Sequence, residues 1–441
     1  MDAGSFAWSS ARVPETQRDQ QRRKAELVFD AFAIDGIDAM TIGHYDIALG
    51  REWMQTSLNA RDLPVTLANF RCGGERPFAG HILIEEGGIT LGVVGVLSTD
   101  RTVEGCETAT PADALREEIA AMGDVDLVMV LSQLSDDGDE ALAKAVPDVD
   151  LIVNGKGRLS RQQPKALANG AIQLGAGPKG KRLGVAEISL AAGGDGFSML
   201  GVVEDLETRT ARFKERLESA TRNRDEAEDS RARRRAEKQI EYYTEEIARM
   251  QGEIAELSGA DGSTTHSIRN DLRDLSRSVQ DHPDVSALLT VAKADIEAIE
   301  SQADIAALVG SPFVGSAACA SCHKPIFADW TKTSHAQAWL TLTAENRHMD
   351  QACYQCHSTG SFHPEGPHHP KQVTPALQGV GCESCHGPGG EHVKNPAEAD
   401  MVKNPPLSNC TQCHNGEQDQ GRFDPATYLP KVNHSNVRTG D

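Results

Sequence analysis

Cys382-Glu-Ser-Cys385-His386 sets two cysteines three positions apart, with a histidine directly behind the second. The pattern also stands at Cys319-Ala-Ser-Cys322-His323, Cys353-Tyr-Gln-Cys356-His357 and Cys410-Thr-Gln-Cys413-His414. Each is the attachment signature of a c-type haem: both thiols add across the porphyrin vinyl groups, and the adjacent histidine becomes the proximal iron ligand. The spacing is short because two thioether bonds and one iron–nitrogen bond must close on one porphyrin face. Paired Cys-x-x-Cys is also zinc spacing. Histidine is only 15 of 441 residues, however, so its standing behind all four pairs by chance has a probability of about one in a million. A disulfide framework is disfavoured too, since pairs at constant two-residue spacing do not suit long-range bridges. The expected cofactor is therefore four covalently bound haem c groups with their iron.

Four six-coordinate irons need four further axial ligands. Seven histidines lie in the segment outside the motifs: His335, His348, His363, His368, His369, His392 and His434. His335, His392 and His434 are the first choices from their local contexts, Trp330-Thr-Lys-Thr-Ser-His335, Gly387-Pro-Gly-Gly-Glu-His392 and Lys431-Val-Asn-His434. The fourth ligand is expected from His348 or from the cluster His363, His368 and His369.

Upstream, the composition divides into zones. Residues 1–204 mix short apolar runs with helical stretches and glycine-rich turns. Strands are expected at 39–42, 65–68, 81–84, 90–96, 127–131, 151–153, 171–174 and 183–188, and helices at 112–122 and 139–146, which together make an α/β layered fold. Residues 205–308 are dense in Glu, Arg, Lys and Ala. Ile240, Tyr243, Ile247, Met250, Ile254 and Leu257 fall at alternating three- and four-residue steps, a heptad seam. Gly259 to Gly262 breaks the helix. A second helical stretch is expected through Ile268, Leu272, Leu275 and Val279, then from Leu288 to Ile299. This reads as an antiparallel helical hairpin or coiled-coil spacer, either a homodimerisation stalk or a layer packed on the first domain. Residues 309–441 lose regular pattern and form the loop-rich, partly helical haem domain, in which porphyrins supply much of the apolar core.

The net charge of −21 argues against nucleic acid and anionic membrane as partners and suits redox partner proteins or plain solubility. No apolar run reaches the roughly 18 residues a transmembrane helix needs. Eight of ten cysteines belong to the haem motifs; Cys72 and Cys106 either pair in an oxidising compartment or sit as buried thiols. Covalent haem attachment implies a periplasmic or extracellular location. Met1-Asp-Ala-Gly-Ser-Phe has no charged start or apolar stretch of a signal peptide, so an upstream segment is expected to be missing.

Two resemblances follow. The stretch from Cys319 to His434 resembles the tetrahaem cytochromes c of nitrifier hydroxylamine oxidation, through Trp330, Ser334-His335-Ala, and Gly379-Val-Gly-Cys-Glu-Ser-Cys-His-Gly-Pro-Gly-Gly-Glu-His392. The resemblance implies closely packed haem pairs and, in some members, one five-coordinate haem. Residues 1–204 resemble the bacterial 5′-nucleotidase branch of the calcineurin-like metallophosphoesterases, through Asp2-Ala-Gly-Ser-Phe6, Gly36-Ile-Asp-Ala-Met-Thr-Ile-Gly43, Pro64-Val-Thr-Leu-Ala-Asn69, Val94-Gly-Val-Leu97, Val130-Leu-Ser-Gln133 and Val149-Asp-Leu-Ile-Val-Asn-Gly155. By that resemblance the metal-bridging Asp is Ser5 here, the Asn-His-Glu phrase is His44-Tyr45-Asp46, Ser-His is Ser132-Gln133, and His-x-His is Lys156-Gly-Arg158. A two-metal hydrolase needs those ligands, and cationic side chains repel a dication, so hydrolysis is not expected.

The expected function is an exported tetrahaem electron carrier with an inactive phosphoesterase-like scaffold. The competing readings are a multihaem oxidoreductase acting on a small nitrogen or sulfur compound at a five-coordinate haem, and a nucleotide- or anion-binding sensor.

Overall fold

The computed structural model describes residues 1–441 except 9, 11, 157–163, 178, 179, 195, 228, 259–265, 277, 400, 416, 417, 420, 421 and 435–441. The chain forms two compact units. One comprises residues 1–12 and 32–281, the other residues 13–31 and 282–441.

The strands of the first unit are β1 (Phe70–Cys72), β2 (Ile82–Glu86), β3 (Ile89–Leu97), β4 (Cys106–Thr108), β5 (Leu127–Gln133), β6 (Leu151–Asn154), β7 (Lys165–Ala166), β8 (Ile172–Leu174), β9 (Arg182–Ser189), β10 (Phe197–Met199) and β11 (His266–Asp274). Six of them make one sheet in the order β2-β3-β5-β6-β8-β7. Its centre, β3-β5-β6-β8, is parallel, and both edges are antiparallel. Parallel strands are covered on both faces, and the sequence shows it as nearly unbroken apolar runs. Val94, Val96, Val128, Val130 and Ile152 point to one face, against Leu115 and Met122 of helix Pro111–Met122 and Leu142 of helix Asp136–Ala145. Their neighbours Val93, Met129, Leu131 and Leu151 point to the other face, where Ile268, Ile188, Phe197 and Met199 of a second sheet, β10-β11-β9, meet them. Each such side chain, fully buried, contributes about 1.5–3 kcal/mol. The layered α/β expectation is met.

Two details differ from the sequence reading. Segments 39–42 and 65–68 are joined by single parallel bridges, Asp2 to Met40 and Met40 to Val65, and do not form longer strands. Residues 266–274 are a strand where a helix was expected. Ile268 and Leu272 lie four apart, a spacing that fits one helical turn and two strand repeats alike. The burial of Ile268 beside exposed Arg269, Asp271 and Arg273 shows the two-residue period. The helical hairpin therefore closes earlier, between Val202–Asp225 and Ser230–Ser258. Met250 packs with Val202 and Leu206, and Ile254 joins them. Phe213 meets Tyr243 edge-on at 5.6 Å. This part of the heptad seam faces the chain's own preceding helix. Gly259 to Gly262 falls outside the described residues, and helix Pro283–Gln302 covers the last expected helical stretch.

In the second unit, residues of helix Arg18–Asp35 up to Ala31 pack with helix Pro283–Gln302 and with the haem-motif segment. Arg23 Nε donates to Asp295 at 2.7 Å and Gln20 Nε2 to Glu300 at 2.7 Å. One helix is thus descended as the other is climbed, an antiparallel pair. The motif segment has a small apolar cluster of its own: Phe313, Trp339, Leu342, Tyr354, Val373 and Leu377. No helix among the described residues is long and apolar enough to cross a membrane.

Candidate functional site

Each Cys-x-x-Cys-His run lies on a short helical turn or its end. Cys319 closes helix Ser316–Cys319, and His323 caps helix Lys324–Trp330. Cys353 precedes the 3₁₀ turn Tyr354–His357, Cys382 to His386 is itself a helix, and Cys410 lies in helix Leu407–Thr411. Side chains three apart on a helical turn share a face, which brings the two thiols of a motif to one side. None of these eight cysteines is in a disulfide.

The structure also brings different motifs together. The thiols of Cys319 and Cys382 are within hydrogen-bonding contact, as are those of Cys356 and Cys413. Cys385 lies in the electrostatic reach of Cys410. The first motif thus adjoins the third, the third the fourth, and the fourth the second.

The histidines sort clearly. The rings of His335 and His414 stand 6.1 Å apart, and those of His386 and His434 5.6 Å apart. Two imidazoles bound through nitrogen to one metal ion, at about 2 Å per bond, have ring centres roughly 6 Å apart. Both pairs therefore have the separation of two axial ligands. His434 also lies near His323. Burial first, and then the neighbouring motif histidine, lowers the pKa of His335 and of His434.

Nδ1 of His357 faces Ala338 O at 2.7 Å, Nδ1 of His386 faces Val402 O at 2.6 Å, and Nδ1 of His392 faces Ala399 O at 2.7 Å. A carbonyl at Nδ1 accepts a hydrogen bond from Nδ1–H, fixes the tautomer and leaves Nε2 as the ligand atom. This donor set fits a c-type haem.

His348 packs edge-on to Trp339, with Nδ1 buried and without a hydrogen-bond partner. His363 leans on Phe313, and its Nδ1 accepts from Glu365 N. His368 turns Nε2 to Pro364 O. His369 has both nitrogens engaged: Nδ1 accepts from Lys371 N, so Nε2 carries the proton and meets Glu300 Oε2 at 2.5 Å. That arrangement leaves His369 no lone pair for iron.

Three carboxylates were missed in the sequence. Glu383, between the cysteines of the third motif, is buried and accepts from Val314 N, Gly315 N and Gly389 N. Glu300 takes Gln20, Gln351 and His369. Asp350 takes Lys24 and Arg347 beside the second motif. Glu383 between Cys382 and Ser384, Glu300 between Ile299 and Ser301, and Asp350 between Met349 and Gln351 mark no period, and only their burial in the folded unit reveals them.

In the first unit, the carboxyl ends of β3, β5 and β6 gather Ser98, Gln133 and Asn154, the edge where ligands bind in open parallel sheets. The candidate ligand positions are knitted to one another. Ser5, at φ 66°, donates Oγ to Gln133 Oε1 at 2.8 Å. Gln133 Nε2 donates to Ala3 O. Gly43 lies so close that a Cβ there would meet Ser5 Oγ at 2.6 Å and Gln133 Oε1 at 2.7 Å. Ser132 and Asn154 both bond to buried Asp139. Lys156 Nζ reaches Ser98 Oγ at 3.0 Å and Asp100 Oδ2 at 3.2 Å. Arg101 lies over the Tyr45 ring at 4.9 Å. His44 has a buried Nε2 with no hydrogen-bond partner, and burial foremost lowers its pKa. Arg158 lies outside the described residues. Among the described residues no group of three or more His, Cys, Asp or Glu is arranged to hold a metal ion.

Asp46 is fully buried and accepts from the amides of Ser5, Ala7 and Gly43. Burial outweighs these three donors and pushes its pKa up to about 6. Stability from this group is complete below the unfolded carboxyl value near pH 4 and is lost as pH rises through 6, a span of roughly 3 kcal/mol. Hydrogen-exchange protection of the Ser5, Ala7 and Gly43 amides is expected to fall between pH 4 and 7, and Asp46→Asn to abolish the slope.

Cys72 and Cys106 are cross-strand partners in the β1-β4 ribbon and form a disulfide, so of the two readings open for them the paired one holds.

Comparison with known proteins places the haem segment. Residues 318–387 match the family described as cytochrome c554 and c-prime. Cytochrome c-554 of Nitrosomonas europaea is 36% identical over 104 residues, covering 19% of this chain and 44% of that protein. The chain thus spans less than half the length of this curated relative. The match supports a multihaem c-type cytochrome with covalently bound haem. Two solved structures are similar elsewhere in the chain. A 5′-nucleotidase precursor from Thermus thermophilus is 20% identical over 38% of each chain, with a TM-score of 0.33. The sulfate thiohydrolase SoxB of Thermus thermophilus is 22% identical over 37% of this chain and 32% of that one, with a TM-score of 0.34.

Proposed function

We propose that this chain is an exported electron carrier with four covalently attached haems, working between redox partner proteins, and that its α/β unit is a phosphoesterase-like scaffold without hydrolytic activity. The observation that carries the reading is the side-by-side placement of the motif thiols: Cys319 against Cys382, Cys385 toward Cys410, and Cys413 against Cys356. A c-type haem supplies a one-electron iron couple whose potential follows axial ligand, burial and local charge. The protein's own residues do the rest. Paired thiols anchor four attachment points. His323, His357, His386 and His414 stand as proximal ligands, with carbonyls holding His357 and His386 in the metal-binding tautomer. His335 and His434 would supply second nitrogen ligands beside His414 and His386, from which their rings stand 6.1 and 5.6 Å apart, and His392 and His348 are the remaining candidates.

The scaffold reading rests on Ser5 and Gln133, which bond to each other, and on Lys156, which is held by Ser98 and Asp100, where a hydrolase would hold two cations. Export accords with covalent attachment and with the Cys72–Cys106 disulfide, which an oxidising compartment maintains.

A carbon monoxide difference spectrum of the reduced four-haem protein tests the assignment. No spectral change is expected, since two strong axial ligands resist displacement. A change scaled to one haem in four would overturn the pure carrier reading and point to an open iron and a small nitrogen or sulfur substrate.

A further inference from the structure

Lys24 belongs to helix Arg18–Asp35, some three hundred residues ahead of the second motif, yet its Nζ lies 2.5 Å from Asp350 Oδ1. Asp350 is 4% exposed. Its other oxygen takes Arg347 at 3.1 Å, and Oδ1 also accepts from Ala352 N at 2.9 Å. The backbone of the same residue accepts from Cys353 N and Tyr354 N, opening the turn that carries the motif. Asp350, Arg347 and Lys24 all lie within electrostatic reach of the Cys353 sulfur. Two cations therefore stand against one carboxylate beside a single haem attachment point, and one of those cations comes from a distant part of the chain.

We propose that Lys24 is an electrostatic positioning residue for the haem attached at Cys353 and Cys356, raising that haem's reduction potential above the value the motif segment alone would give. The inference rests on haem attachment at this motif. Reduction adds one negative charge to the centre, so a nearby net positive charge favours the reduced form. Asp350 works in the opposite direction, which gives the pair a sign that a purely structural role lacks. Lys24 is partly solvated, with its side chain 25% exposed, so screening moderates the effect. A roughly five- to tenfold change in the reduced-to-oxidised ratio at fixed potential is expected.

The test is a potentiometric titration of the full-length four-haem protein, with the affected haem identified by its absence from a C353A/C356A variant. Lys24→Met is expected to lower the midpoint of that haem alone, Asp350→Asn to raise it, and Lys24→Arg to leave it in place. Lys24→Met and Asp350→Asn shifting in the same direction, an unmoved midpoint, or equal movement of all four haems would each overturn the proposal. Should Asp350→Asn fail to assemble, the contrast between Lys24→Met and Lys24→Arg decides it. Haem content by pyridine haemochrome keeps the two readings apart. A wild-type protein without haem on Cys353 and Cys356 refutes the attachment, whereas a full complement with an unmoved midpoint refutes only the tuning.

Discussion

A protein with both Cys382 and Cys385 changed to alanine is expected to carry one haem fewer and to lose electronic communication across the segment. The third motif is internal in the order set by thiol contacts: it touches the first through Cys319 and faces the fourth through Cys410. Its removal leaves the first motif separated from the fourth and second. Removing Cys353 and Cys356 deletes an end of the series, and three attachment points stay contiguous. Both double variants should weigh one haem less than the wild type by intact mass. They should differ in reductive titration, where only the end deletion leaves three haems equilibrating rapidly as one set. Equal behaviour of the two variants would refute the proposed order.

Glu300→Ala is expected to destabilise the second unit by about 3–5 kcal/mol, because it strands the buried His369 N–H and removes the shared acceptor of two buried amides. Glu300 is 1% exposed, and its two oxygens receive Gln20 Nε2 at 2.7 Å, Gln351 Nε2 at 3.0 and 2.9 Å, and His369 Nε2 at 2.5 Å. Alanine leaves His369 Nε2 buried without its partner, takes one acceptor each from Gln20 and Gln351, whose amides keep Met349 O and Thr16 O, and opens a void as well. For a unit of this size the loss corresponds to a fall in midpoint temperature of about 10 °C. Glu300→Gln retains the shape and some of the bonds and should fall less. Calorimetry of the two haem-loaded variants checks the ranking; similar midpoints for wild type and Glu300→Ala would show the network to be dispensable.

The parts of this protein legible in its sequence are those with a local period or a fixed spacing. The haem motifs declare themselves because covalent chemistry dictates the interval between Cys382, Cys385 and His386. Strands β3, β5 and β6 declare themselves because a sheet buried on both faces writes continuous apolar runs. Where one spacing serves two periods, as with Ile268 and Leu272, the reading went to a helix and the fold to a strand. His335, His434, His414 and His386 each stand out in the sequence by context or motif, but which ring lies beside which was not legible, since pairing is a matter of folding and not of order. Lys24, Asp350 and Glu300 were invisible for the same reason. A buried polar residue reads as a surface one until its partners arrive, and these partners are separated by 326 residues for Lys24 and Asp350 and by 280 for Gln20 and Glu300.

That separation bears on how the molecule is made. Residues 13–31 leave the ribosome long before Glu300, Asp350 and Gln351, the groups that satisfy them. Domain-by-domain folding in order of synthesis can complete the α/β unit while the early segment, which carries Gln20 and Lys24, still waits with its polar groups in water. Closing a loop of this length costs entropy that only the finished contacts repay. The second unit therefore closes only after the haem segment has emerged, so its assembly reports on how far synthesis has run, and a product truncated before Glu300 keeps its early helix unanchored.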